Sequence, residues 1–490
     1  MVVIILGRVA QFLLMLAILK ISTHFLTPTE MGKMALLSSS VAFVSLFLIN
    51  PVGMYVNRQL YAWNNVGLVK RYLTYHGFYI LIIALMATIF LGIVNCHGFI
   101  ISHVSPLFFI FFVFATLLFN TINQTSIPSL NMFGFRVWFT VLSLLTLLSG
   151  LIFSVVLVYY MSPIAMYWLL GLLAGQILFA IIGTFVFFTK INTHNALVDK
   201  KVTPSFQDVK KVFGFSWPVA VAVGLTWFQN QSYRFFVEHS FSLDILGLFV
   251  AGYGISAGIF AAFESIFATY FQPFFYQHLN VKKGGGETTA WNDYAMVMIP
   301  SAVLLFFGIL VLAPKLTLLM LATNFKNASV FVMWGASVEL FRVVVNVYSL
   351  AAHANRDTKV LIAPNLLGAV VSIVLICVLI PYLGISGVAL ALAVSGLSVT
   401  LFLHVRIKNK FPITVPYKAI GRAIVWGVAS GGIYYLLEWS SLGRSSMLFI
   451  FLQILIIGVF LLFAEFLLIK KTNFAVRFLS SNQLQNEVLT

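Results

Sequence analysis

The stretch from Phe213 to Gly247, FGFSWPVAVAVGLTWFQNQSYRFFVEHSFSLDILG, is apolar enough to cross a membrane yet carries a cation in its second half. At about 100° per residue, Trp227, Asn230, Gln231, Arg234 and Glu238 recur at three- and four-residue steps and fall on one side of a helix. A charge deep in hydrocarbon costs roughly 2.5–3.5 kcal/mol on insertion scales. That cost turns Arg234 toward a partner helix or a water-filled cavity, or else makes it snorkel to the outer end of its helix. A helical membrane protein with a polar interior is the class this stretch implies.

The rest of the chain agrees. Of its 490 residues 61% are hydrophobic and 9% charged, which excludes a soluble globular protein, whose apolar share is nearer about half. A net charge of +16 would suggest nucleic acid in a soluble chain. Here Lys and Arg are scattered between apolar runs, so no nucleic-acid partner is expected. Cys96 and Cys377 sit in or beside apolar runs without a CxxC or a His ligand set, so neither a disulfide framework nor a metal site is expected. The phosphate-loop pattern GxxxxGK[ST] is absent, which removes ATP hydrolysis, and nothing calls for a cofactor. The first run, Val2 to Phe25, is too long for a signal peptide's core and reads as an uncleaved membrane helix.

Crossing a ~30 Å core takes about 20 residues, and on that measure the sequence divides into about fourteen crossings. Lys and Arg gather in alternate connections: Arg58, Lys70 and Arg71; Arg136; Lys190 to Lys211; Lys282 and Lys283; Arg356 and Lys359; Arg406 to Lys418; and the tail from Lys470. The intervening connections hold only Lys33, Lys315, Lys326 and Arg444. Cytoplasmic loops collect cations, so both termini are expected in the cytoplasm. The expected divisions are a six-helix lobe over 1–190, a cytoplasmic linker over 191–213, a second six-helix lobe over 214–405, and two further helices with a tail over 406–490. Two halves are also suggested by an internal echo, in which His24-Phe-Leu-Thr27-Pro-Thr-Glu30-Met-Gly32 matches His239-Ser-Phe-Ser242-Leu-Asp244-Ile-Leu-Gly247. Six crossings lie between them, so the halves would share one topology and be related by an axis along the membrane normal.

Several motifs carry a family resemblance. They are Leu26-Thr-Pro-Thr-Glu30-Met-Gly32, Asn50-Pro-Val-Gly53 before Asn57-Arg58, and Asn131-Met-Phe-Gly134 before Arg136. To these are added Phe215-Ser-Trp-Pro218, Asp244-Ile-Leu-Gly247, and Ile380-Pro-Tyr-Leu-Gly384-Ile-Ser-Gly387. Together they resemble the polysaccharide-transport branch of the multidrug/oligosaccharidyl-lipid/polysaccharide (MOP) flippase superfamily, typified by Wzx-type O-antigen flippases. The resemblance implies an all-α fold of two six-helix lobes around a central cavity with two extra C-terminal helices, working by alternating access in the bacterial inner membrane. It implies as substrate an undecaprenyl-pyrophosphate-linked oligosaccharide, with membrane lipids, a glycan polymerase and a chain-length regulator as partners.

The residues that would serve this function are the intramembrane polar ones. Arg234 with Trp227, Asn230 and Gln231 would offer a phosphate a charge and sugar hydroxyls their donors, acceptors and a stacking plane. Arg342 shares a helix face with Glu339, Asn346, Ser349 and His353, where it either faces a ligand or neutralises Glu339 at i,i+3. Arg8 and Gln11 share a face at the inner mouth. Glu264, among Phe260, Phe263 and Phe267, either carries a coupling proton, as Glu339 would, or hydrogen-bonds to a neighbouring helix. Asn120, Asn123, Gln124 and Asn131 add amides that serve either sugar or helix packing. Arginine suits pyrophosphate because its planar fork makes paired charge-assisted hydrogen bonds. The rival readings are a peptidoglycan-precursor flippase, a multidrug or cation exporter, which would need an acidic cavity, and a membrane glycan polymerase.

Overall fold

The computed structural model describes residues 2–98, 100, 104–191, 206–281, 286–354, 358–409, 413–440 and 447–470. Linker residues 192–205, Lys282 to Gly285, Arg356, Lys410, Arg444, the tail from Lys471 and the side chain of His353 lie outside that description.

The described residues are helical, with no strand among them, and fourteen helices are long and apolar enough to cross a membrane. In order they begin with α1 (Val2–Phe25) and α2 (Pro28–Val44), which runs through a π-helical turn (Ser45–Ile49) into α3 (Asn50–Asn65). Next come α4 (Val69–Cys96), α5 (Pro106–Met132), α6 (Arg136–Tyr160) and α7 (Ala165–Lys190). One crossing is shared by α8 (Phe206–Gln231) and α9 (Tyr233–Ser240), followed by α10 (Leu243–Val281) and α11 (Gly286–Met320). Last are α12 (Ser329–Ala354), α13 (Ile362–Leu383), α14 (Ile385–Lys408), α15 (Tyr417–Ser440) and α16 (Met447–Lys470). The π turn has a local cause: Pro51 has no N–H to give the helix ladder, and just before it the Asn50 N–H reaches back to Ser45 O.

Contacts group the chain into two compact units, Met1–Val250 with Gly368–Val388, and Ala251–Leu367 with Ala389–Thr490. In the first, α7 lies on α6 through Gly171 and Gly175, where a Cβ would overlap the backbone of Ser154 and of Gly150. Small residues four apart let membrane helices touch along their backbones, and the Ser154 hydroxyl donates across the seam to Trp168 O (2.7 Å). Segment 206–250 also packs in this unit, with Ser216 Oγ donating to Pro51 O (3.3 Å).

The echoed motifs meet each other here. Thr27 Oγ1 caps α2 by accepting from Glu30 N–H (3.4 Å), and Ser242 Oγ caps α10 by accepting from Ile245 N–H (3.2 Å). A Cβ on Gly32 would overlap the carbonyl oxygen of Leu243, and one on Gly247 the carbonyl oxygen of Pro28. Between them Thr29 donates to Asp244 (3.3 Å), a partner 215 positions away. Each contact is the other's copy under the same offset. Glu30 has a second duty, accepting the N–H of Ala165 at the start of α7 (2.7 Å) while paired with Lys33 (2.6 Å).

In the second unit α15 and α16 pack on α11. Phe307 fills the space left by Gly427. The Ser301 hydroxyl donates to Glu465, and Lys315 pairs with Glu438 (3.1 Å), which also accepts from Gln453 (3.0 Å). These bonds satisfy polar groups that would otherwise be stranded in an apolar setting.

Candidate functional site

A polar centre lies in each unit. In the first it is a cavity of ≈620 Å³ walled by α2, the π turn, α3, α5 and α7. On α5, Thr116, Asn120 and Gln124 rise at four-residue steps, with Thr121 and Thr125 beside them. Asn50 and Asn57 on α3, Ser38 and Ser45 before them, and Gln176 on α7 complete the polar lining. Among the described residues no Lys, Arg, His, Asp or Glu lines it. Gln124 Nε2 donates to Asn120 Oδ1 (3.0 Å), which orients that pair. The Thr116 Oγ1 is buried without a hydrogen-bond partner in the described residues. Such a surface offers neutral donors and acceptors on several sides and no charge.

The centre of the second unit is charged. Arg342 on α12 bonds through Nε to Glu339 Oε2 (2.6 Å) and through Nη2 to Glu264 Oε2 on α10 (2.6 Å). Tyr253 OH donates to Glu339 Oε1 (2.6 Å), and Asn346 Nδ2 to Glu264 Oε1 (2.8 Å). Glu339 is buried, at 3% exposure. Two carboxylates of the cluster thus share one guanidinium. Four sequence-predicted residues, Glu264, Glu339, Arg342 and Asn346, therefore meet in one network, and the partner of Glu264 is the arginine.

The residues of the opening stretch behave differently. Helix α8 breaks at Ser232, between Gln231 and Tyr233, so the single continuous stripe expected from Trp227 to Glu238 is divided. Trp227 Nε1 donates to Ser39 O (3.1 Å), and its ring lies edge-on to Phe43 (4.9 Å). Arg234 Nη1 donates to Ser39 Oγ (2.7 Å) and to Ala35 O (3.2 Å). Both fasten α8–α9 to α2, and no carboxylate is bonded to Arg234 among the described residues. The Gln231 Oε1 is buried and unpartnered, and Asn230 is half-buried. Arg8 donates to Gln11 (3.1 Å) and lies 5.5 Å from the Phe139 ring centroid. None of these six lines the ≈620 Å³ cavity.

Of the amides read from the fourth crossing, Asn120 and Gln124 reach the cavity, whereas Asn123 turns to Thr146 (3.5 Å). Ser38, Ser45 and Gln176 were not legible as site residues. Ser38 is one of three consecutive serines, and Ser45 and Gln176 are lone polar residues in apolar runs, so nothing in the sequence set them apart.

No family model and no curated protein matches the chain. Among solved structures it is similar to a lipid II flippase, MurJ, in an inward closed conformation, at 14% identity and TM-score 0.69 over 95% of this chain and 97% of that one. It is also similar to an inward-facing multidrug resistance MATE family transporter of the MOP superfamily, at 14% identity and TM-score 0.59 over 81% and 94%. A eukaryotic MATE transporter matches at 13% identity and TM-score 0.53 over 86% and 96%. The fold is thus shared with these three solved structures, and with fourteen helices of membrane-spanning length among the described residues the protein is a multi-pass membrane protein.

Proposed function

We propose that the protein is a flippase for a lipid-linked oligosaccharide, carrying an undecaprenyl-pyrophosphate-anchored repeat unit of a surface polysaccharide from the cytoplasmic to the periplasmic leaflet of a bacterial inner membrane. The observation that carries this reading is the uncharged cavity on α2, α3, α5 and α7. At ≈620 Å³ it lies within the roughly 300–1,000 Å³ of small-molecule sites. Its amides and hydroxyls suit sugar, whereas a cationic drug would call for acid there.

Arg234 and Arg8, intramembrane cations bonded to neutral groups, are assigned the pyrophosphate. Arg342, neutralised by two glutamates, belongs in this scheme to coupling, with Glu264 and Glu339 exchanging a proton or cation. Moving an anion outward against an inside-negative potential is downhill by about 2.3 kcal/mol per charge per 100 mV. No ATP site is needed, and both termini face the cytoplasm, where the cationic connections gather. A second reading, a peptidoglycan-precursor flippase, is favoured by the likeness in fold to MurJ.

The test is surface-glycan analysis of a strain lacking this chain, with lipid-linked oligosaccharide assayed on each leaflet. The same assay follows with Asn120→Ala plus Gln176→Ala, and with Arg234→Ala, restored at equal abundance. Build-up inside, unrescued by the variants, is expected. Repeat units that reach the outer leaflet but stay unpolymerised would overturn the flippase reading. Loss of viability with intact surface glycan would select the peptidoglycan precursor.

A further inference from the structure

The first unit has a second cavity of ≈490 Å³, bounded by α3, α4 and the first half of α8. Its walls are aromatic. Trp63 on α3 stacks on Tyr72 of α4 (4.5 Å between centroids, 10° between planes), and on α8 Phe213 stacks on Trp217 (5.8 Å, 17°), with Trp217 52% exposed. One acid lines it, Asp208, and that residue is paired with Lys211 (3.5 Å).

An interfacial aromatic belt accounts for rings at this level. It does not account for His76. That side chain is 6% exposed, lines this cavity and a smaller one against α5 and α7, and neither ring nitrogen has a hydrogen-bond partner among the described residues. A neutral imidazole brings one donor and one acceptor, and leaving both unmet in a buried place is costly. His76 therefore asks for a polar group delivered by whatever fills the aromatic space.

Cations flank the same place. Arg71 Nε donates to Tyr75 OH (3.4 Å), and Tyr75 is part of the wall. Arg58 lies 5.9 Å from the Phe215 ring, which packs on wall residue Tyr55 (5.7 Å). At 1.5 Å per residue, His76 sits about 7.5 Å farther along α4 than Arg71. Along α4 the order is Arg71, Tyr72, Tyr75, His76 and Tyr79, so rings of the wall lie on both sides of the imidazole.

We propose that this groove is a binding site for one anionic glycerophospholipid. Its phosphate would lie at Arg58 and Arg71, its glycerol-ester oxygens at His76, and one acyl chain between the rings of α3, α4 and α8. The site is independent of the transport reading above, since it asks only for membrane lipid.

The experiment is native mass spectrometry of the full chain in detergent, titrated with phosphatidylglycerol and, separately, phosphatidylcholine. One tightly retained phosphatidylglycerol per chain is expected. Retention should fall about tenfold in His76→Leu, the loss of one good hydrogen bond, and be largely restored in His76→Gln. Arg58→Gln with Arg71→Gln should erase the preference over phosphatidylcholine. Equal retention of both lipids by the wild type, or unchanged retention in a folded His76→Leu protein, would reduce the groove to an unspecific belt. Stoichiometric displacement by undecaprenyl phosphate would also overturn the proposal and give the groove to a prenyl chain. Should His76→Leu not fold, the His76→Gln and arginine variants decide alone.

Discussion

The cavity of the first unit and the cluster of the second solve opposite problems with the same material, polar side chains on membrane helices. On α5 and α3 the polar atoms are neutral and the buried Thr116 hydroxyl has no partner among the described residues, so on the proposed function the cavity gains by meeting a ligand's hydroxyls. In the cluster on α10 and α12 the three charged groups have found one another, and the network of Tyr253, Glu264, Glu339, Arg342 and Asn346 closes on itself. On the proposed function, the open neutral surface recognises the substrate and the closed charged one serves coupling. The two differ most in what happens when one member is removed.

Removing Arg342 should have the largest effect. Arg342→Ala leaves two carboxylates facing each other, and breaking a buried ion pair costs about 3–5 kcal/mol. The low end is expected here, because the arginine side chain keeps 31% exposure. Thermal unfolding in detergent checks it, and Glu264→Gln in the same chain should recover much of the loss. If Arg342→Ala alone were harmless, the network would not be the closed unit described.

Next in size is Glu339→Gln, which weakens bonds to Arg342 and Tyr253 and should cost about 1.5–3 kcal/mol, the value of hydrogen bonds to charged groups. In vesicles, Glu264→Gln and Glu339→Gln should each flatten the pH dependence of transport. A wild-type profile in both would remove coupling from the cluster.

The cavity should answer more mildly. Asn120→Ala and Gln176→Ala should each weaken sugar binding by about fivefold, the loss of about 1 kcal/mol. Titration calorimetry at low and high salt should give the same ratio, since no charge is involved. Smallest of all, Thr116→Val should change stability by less than about 0.5 kcal/mol, because its hydroxyl has no protein partner to lose. A larger loss would mean that this hydroxyl is held by something other than ligand.

The fourteen crossings were legible because hydropathy and the alternation of cations report the same boundary, the membrane surface, in two independent ways. Helix lengths were less so. The second crossing runs Pro28–Asn65, well past its apolar run, because backbone hydrogen bonds continue a helix into water at no hydrophobic signal. In the cluster, the Glu339–Arg342 pair could be read from spacing along one helix. Glu264 could not, since its partners Arg342 and Asn346 lie on another helix, the latter 82 positions away. Trp227 and Arg234 were read as part of one stripe, with Arg234 toward a partner helix, a water-filled cavity or the outer end. Both bond to Ser39 on the neighbouring helix α2, and nothing in the polar periodicity marks the break at Ser232 that divides the stripe.

The meeting of Gly32 with Leu243, and of Gly247 with Pro28, carries a historical consequence. Surfaces that offer each other the same residues are isologous, the signature of a two-fold dimer. Such reciprocity within one polypeptide is what duplication and fusion of a self-pairing chain of half the length would leave at the seam between Thr27–Gly32 and Ser242–Gly247.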